Sequence, residues 1–210
     1  MTAVASKKPA SVLDPTVRER RPLGLWANGM PMTPEEFDAE DDWNPNYRYE
    51  LVNGVLIVSP PAAEGERGPN DELGYLLRDY QYRHPQGSRI NDTLSEQTVA
   101  TAAGRRRMDR AIWIGFGRNI YPDKDIPTIA VEYVARRSRD RRRDFVEKRA
   151  EYEAIGVVEY WIIDRFRRSL TVIRKDDVQV FGEKDTYRTE LLPGFELPLQ
   201  RLLAIADKYK

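Results

Sequence analysis

The segment Thr128–Val134, TIAVEYV, restricts the fold more than any other stretch of the chain. Its β-branched and aromatic residues read as a strand. Alternation puts Ala130, Glu132 and Val134 on one face and Ile129, Val131 and Tyr133 on the other. Apart from a single carboxylate, both faces are apolar, so the strand belongs in a buried part of a sheet. An ionised glutamate in such a place is costly unless a cation accompanies it. The cation for Glu132 is either an arginine of the run that follows, which includes Arg136, Arg137 and Arg139, or a bound metal ion.

The flanking sequence supplies the rest of a sheet and its helices. Residues 1–32 mix Lys, Arg, Pro, Ala and Ser without a period and read as a flexible arm, docked in part through Leu25 and Trp26. The remaining residues, 33–210, read as one domain. Thr33, Pro34 and Glu36 form a capping box with proline at the first helical position, which predicts a short helix. Asn53-Gly54 between two apolar runs predicts a hairpin, because both residues tolerate positive φ. Residues 59–70 read as a loop. Leu73, Leu76, Leu77 and Tyr80 then recur at helical spacing.

Short strands are expected near Arg89–Ile90 and at Glu96–Thr101. A turn at Ala103-Gly104 leads into a further strand with Asp109 near the start of its apolar part. After Val134, the spacing of Phe145, Tyr152 and Ile155 predicts a helix capped by Ser138 or Asp140 and ended by Gly156. Three strands follow, at EYWIID, SLTVIR and VQVFG, and then a short amphipathic helix near the C-terminus. Interleaved helices and strands with hairpins at both ends imply an α/β or α+β fold around a mixed central sheet.

Composition removes several kinds of chemistry. With no cysteine there is no disulfide, thiolate zinc site or cysteine nucleophile, and one histidine, His84, precludes a two-histidine zinc site within the chain. Lys+Arg and Asp+Glu are both 34, so net charge gives no argument for a polyanion, and only local clusters can. No apolar run reaches the roughly 20 residues that a membrane span needs. The first residues lack a signal-peptide core, so no membrane association and a cytoplasmic location are the expectations.

Four residues form the candidate site. Glu132 and Asp109 sit on two apolar strands, and two such acids can offer hard oxygen ligands to one Mg²⁺, which keeps several waters. Taken singly, an aspartate at a strand start such as Asp109 is more often a turn residue than a ligand. Lys148 flanks the apolar stripe of its helix one turn from Phe145 and Tyr152, although a surface lysine can occupy that position too. Glu50 lies among the apolar residues opening the first hairpin, as a further ligand or as a strand-edge charge. The Gly115–Gly117 pair is followed by prolines rather than a helix and is no phosphate-binding loop.

Taken in order, YELVNGVLIVSP, the aspartate strand, IAVEYV and RRDFVEKRAEYEAIGVVEYWIID resemble the Uma-two family of restriction endonucleases, within the PD-(D/E)XK nuclease-like superfamily. The resemblance runs from about Met32 to about Arg174. It implies a restriction-endonuclease-like core, a mixed sheet flanked by helices, and a Mg²⁺ or Mn²⁺ held by Asp109 and Glu132. Asp109 matches the family's Pro-Asp aspartate, Glu132 its strand glutamate and Glu50 the acid of its first hairpin. Val134 stands where the superfamily usually has lysine, and Lys148 of the next helix matches the lysine that serves instead. Met108 and Arg110 depart from the usual proline and apolar neighbours of the aspartate.

The activity so implied is metal-dependent hydrolysis of DNA phosphodiester bonds, with Asp109, Glu132, Lys148 and Glu50 as catalytic residues. Arg105, Arg106 and Arg107, with Arg136 and Arg137, are candidates for phosphate contact, or simply a solvated basic face. A two-fold homodimer would suit cleavage of both strands. The alternative is a nuclease-fold module without catalysis that binds nucleic acid or a protein.

Overall fold

The structure is a computed structural model that describes residues 21–134 and 143–209. Its elements run α1 (Pro34–Ala39), β1 (Arg48–Val52), β2 (Val55–Ser59), α2 (Glu64–Arg83), β3 (Ile90–Thr101), β4 (Gly104–Ile114), β5 (Ile129–Tyr133), α3 (Arg149–Ile155), β6 (Glu159–Asp164), β7 (Ser169–Arg174), β8 (Asp177–Gly182), β9 (Thr186–Tyr187), β10 (Leu197–Pro198) and α4 (Leu199–Ala206). A π-helical turn, Arg143–Lys148, leads directly into α3. Strands β1 to β8 form one mixed, mostly antiparallel eight-stranded sheet, with β5 and β6 as its parallel pair.

The helices cover both faces of the sheet, as the alternation in β5 requires. Ile129, Val131 and Tyr133 pack with Leu73, Leu77 and Tyr80 of α2 and with Leu199, Leu202 and Leu203 of α4. Ala130 and Val134 pack on the opposite face with Tyr152 of α3, alongside Met108, Trp113 and Ile162. All five residues of β5 are buried, Glu132 among them.

Local signals set several boundaries. The Thr33–Glu36 capping box is formed in both directions: Thr33 N donates to Glu36 Oε2 at 2.8 Å and Glu36 N to Thr33 Oγ1 at 3.2 Å. Asn53 and Gly54 take φ of 50° and 75° and close the β1–β2 hairpin. Two boundaries differ from expectation. α2 begins at Glu64, so the supposed loop is largely helix; Pro69 lies inside that helix and is buried there, and Glu64 and Glu66 suit its first turn. The two short strands expected at 89–101 form one twelve-residue strand, β3, whose polar residues obscured its period.

Residues 21–32 also differ in how they attach. Leu25 and Trp26 are exposed, whereas Ala27 is fully buried and Leu23 pairs with Trp43.

Candidate active site

The site is made by a fork in the sheet. Strand β3 pairs with β4 along one edge from Gly104 to Ile114. The other edge is shared: β1 meets β4 at Gly104 and Arg105, and β5 meets it at Arg110, Ala111 and Ile112. Between these pairings, β1 and β5 part beside residues 106–109. A backbone left open there needs other partners, and charged side chains supply them. Glu50 Oε1 of β1 accepts from Arg107 N at 3.1 Å, and Lys148 Nζ donates to the Arg107 carbonyl at 2.8 Å.

Lys148 brings the acids together. Its ammonium lies 2.7 Å from Glu132 Oε1 and 3.4 Å from Glu50 Oε1, with all three residues buried. Tyr152, one turn further along the same helical stripe, donates its hydroxyl to Glu132 Oε1 at 2.8 Å. Burial, and then the charge of Glu132, push the Tyr152 phenol well above its ordinary value, so it stays a donor. The cation demanded by Glu132 is thus Lys148.

Asp109 lies in the middle of β4 rather than near a strand start, and it reaches across the fork. Its Oδ2 accepts from Tyr133 N at 2.7 Å, and its Oδ1 from Arg48 Nη1 of β1 at 3.2 Å. The β3–β4 ladder skips one position here, between the Ser95–Arg110 and Gln97–Met108 pairs. Glu96, which stands opposite Asp109, has φ of 56°. The interruption also breaks alternation in β4: Met108 and Ala111, three residues apart, share the α3 face. A local irregularity of this kind re-aims one side chain, and Asp109 is the residue re-aimed.

A buried network fixes that irregular segment from the α2 side. Asn70 Nδ2 donates to the Asp109 carbonyl at 2.8 Å, and Arg110 Nε donates to Asn70 Oδ1 at 2.7 Å. Arg110 also bonds the Asn70 carbonyl at 2.9 Å and Thr93 Oγ1 at 3.1 Å. Burial holds the Arg110 pKa below its ordinary value. Its guanidinium fits because residue 74 is glycine; a Cβ there would lie 2.6 Å from Nη2.

Further charges complete the surroundings. Burial opposes the charge on Arg48, but Asp109, Glu96, Glu66 and Glu132 outweigh it and raise its pKa. Burial, and then Asp109, push the Glu66 carboxyl up. Glu159 makes a useful contrast, being another buried glutamate on a neighbouring strand. It accepts from Trp161, Tyr187, Thr189 and Arg174 at 2.6–2.9 Å, a pattern that ties β6 and β7 to the C-terminal segment.

The described arginines expected at a phosphate backbone, Arg105 to Arg107, have other occupations. Arg106 is 1% exposed and is held by Glu151, with Nε 2.8 Å from Oε2, so it cannot reach a ligand outside the fold. The cause is strand alternation, which turns Arg106 toward α3. Arg105 makes a two-pronged pair with Asp38, and Arg107 lies 2.7 Å from Glu96; both remain partly exposed. Arg136 and Arg137 lie outside the described residues, as do Ser138 and Asp140, the expected helix caps.

Tyr152, Arg48, Asn70 and Glu66 join the site without having been expected there. Tyr152 was discoverable as the residue four after Lys148, and Arg48 as the residue two before Glu50 on a strand. Asn70 and Glu66 fell within the segment read as a loop.

Comparison with known proteins bears on the family and the fold. The profile of the Uma2 family, described as "Putative restriction endonuclease", matches residues 34–200. No curated protein matches the chain. A solved structure, described as a "putative nuclease belonging to DUF820" from Anabaena variabilis ATCC 29413, is similar with a TM-score of 0.66 and 15% identity. The match covers 84% of this chain and 99% of that one, and it shows a shared fold.

Proposed function

For a chain that belongs to the Uma2 restriction endonuclease family, we propose metal-dependent hydrolysis of DNA phosphodiester bonds at the fork of β4. The observation that carries this reading is Lys148, held 2.7 Å from Glu132 and 3.4 Å from Glu50 at the place where β1 and β5 part beside Asp109. An ordinary structural pair needs no second acid and no gap in a sheet.

Asp109 and Glu132 fit a Mg²⁺ or Mn²⁺ ion by donor chemistry, since such ions take oxygen ligands and need only one or two protein carboxylates. Asp109 is the less enclosed of the two, with its side chain 12% exposed. A divalent ion held there would supply Lewis-acid polarisation of a phosphate oxygen. The remaining work falls to the chain's own groups. Lys148 orients the attacking water by hydrogen bonding and offsets negative charge that develops on the phosphate. Glu132 and Glu50 keep that ammonium charged and in place, and Tyr152 fixes the Glu132 carboxylate. Arg48, paired to Asp109 at its partly exposed edge, is placed to exchange its carboxylate partner for a phosphate.

One observation favours a second reading, a nuclease-fold module that binds nucleic acid or a protein without cutting. Both Asp109 oxygens are already engaged, by Tyr133 N and by Arg48, and Glu132 Oε1 already takes both Lys148 and Tyr152. The test is nicking of supercoiled plasmid with Mg²⁺, Mn²⁺ or EDTA, using wild type beside Glu132→Ala. Metal-dependent nicking that is absent in the variant supports the enzyme. Intact plasmid with every metal, together with DNA retention on a gel, supports the binding module.

A further inference from the structure

Beside the fork lies a cavity of about 350 Å³ that the proposed chemistry does not use. Its walls are Phe37, Trp43, Tyr47 and Tyr49, and Thr98 and Arg107 line it as well. The rings form a connected group, with Phe37 and Trp43 centroids 5.0 Å apart and Trp43 and Tyr49 centroids 4.3 Å apart. Tyr49 is buried and anchors the group, its hydroxyl bonded to the Leu23 and Asn44 carbonyls. Phe37, Trp43 and Tyr47 are only half buried, so part of each side chain is left to the cavity.

Two connections tie this cavity to the candidate site. The first is covalent: the Arg107 side chain lines the cavity while its backbone N–H and carbonyl are held by Glu50 and Lys148. The second is a chain of ion pairs. Arg107 lies 2.7 Å from Glu96, Glu96 3.7 Å from Arg48, and Arg48 3.2 Å from Asp109. Arg107, Glu96 and Arg48 are each 24–30% exposed, so the surface between cavity and Asp109 is open to a ligand and carries two guanidinium groups.

We propose that this cavity receives one nucleobase, unstacked from the strand whose phosphate lies at the fork. Every base has a π-face, and aromatic walls bind it without regard to sequence. Arg48 and Arg107 would then follow the sugar-phosphate backbone between cavity and fork. The enzyme would accordingly favour single-stranded or distorted DNA, where the cost of unstacking a base is smallest. The inference rests on the nuclease reading for the position of the phosphate, but the pocket itself can be tested without catalysis.

The experiment uses the full chain in EDTA with a single-stranded oligonucleotide carrying 2-aminopurine, a base analogue whose emission is quenched by stacking. Wild type is compared with Trp43→Leu and with Tyr47→Leu, whose folding is checked by circular dichroism. Saturable quenching by wild type, with an apparent Kd raised about tenfold in either folded variant, is the expected result. An unquenched probe, or equal affinity in wild type and both variants, overturns the pocket. Plasmid nicking on the same preparations separates the two ideas. Nicking without quenching removes the base pocket and leaves the nuclease. Quenching without nicking keeps the pocket and transfers it to the binding-module reading.

Discussion

Asp109 accepts a hydrogen bond from the backbone N–H of Tyr133 at 2.7 Å, so the aspartate of one strand is tied to the peptide that directly follows Glu132 on the next. This bond serves the fold and the proposed chemistry with the same carboxylate. The two roles are separable, because an amide oxygen can still accept from Tyr133 while binding a cation poorly. Asp109→Asn should cost only a modest part of the stability, through the partly exposed Arg48 pair, and reduce plasmid nicking by about a hundredfold or more. A large loss of stability with nicking per folded molecule unchanged would assign Asp109 to structure alone.

Lys148 gives a second separation. Removing one partner of a buried ion pair costs about 3–5 kcal/mol, because a charge is left uncompensated. Lys148→Met should therefore destabilise by that order in urea unfolding, with Glu132 and Glu50 left facing one another. Combining it with Glu132→Met should recover much of the stability and none of the nicking. If the double variant is no more stable than the single, the coupling between Lys148 and Glu132 is not the source of the cost.

Gly74 reverses an ordinary rule. Within a helix, glycine to alanine usually stabilises by about 1 kcal/mol. Here the new Cβ would meet the Arg110 guanidinium, which is fixed by Asn70 and Thr93. Gly74→Ala should destabilise by about 1–3 kcal/mol through overpacking. Its effect should shrink or reverse in an Arg110→Met background, read as a difference in urea midpoint.

Glu151 should contribute to acid sensitivity. Burial pushes its carboxyl up, but the hydrogen bond and charge of Arg106, with Thr101, outweigh this and leave it below its ordinary 4.5. The unfolded chain then takes up the proton more readily than the folded one. The stabilisation is present above about pH 4.5 and is lost as pH falls through the lower folded value. Glu151→Gln should cost stability at neutral pH and flatten the decline in melting temperature below about pH 4.5. An unchanged acid limb in the variant would place the titration elsewhere.

Much of the sheet was written locally. The alternation in Thr128–Val134 foretold which of its residues share a face, and the structure puts one set against α2 and the other against α3. The Thr33 capping box and the Asn53-Gly54 turn were readable because each depends on residues within a few positions of each other. Strand β3 was harder, since among the described residues it pairs with a strand on one edge only and its side chains are mixed in polarity. The start of α2 was hidden by Pro69, whose cost the surrounding packing absorbs. At the site, the demand of Glu132 for a cation was plain, but its identity depended on how a later helix returns to the sheet. That Arg106 turns inward while Arg107 lines a cavity follows from the placement of β4 between its neighbours.

The fork also has a temporal meaning. Glu50, Asp109 and Glu132 leave the ribosome in that order, and Lys148 follows all of them. A chain halted before the Arg143–Lys148 turn possesses the three acids and lacks the ammonium that gathers two of them. No contiguous fragment shorter than the span from β1 to that lysine carries the whole arrangement. Under the proposed chemistry, a chain that ends before Lys148 holds the acids without the group they position.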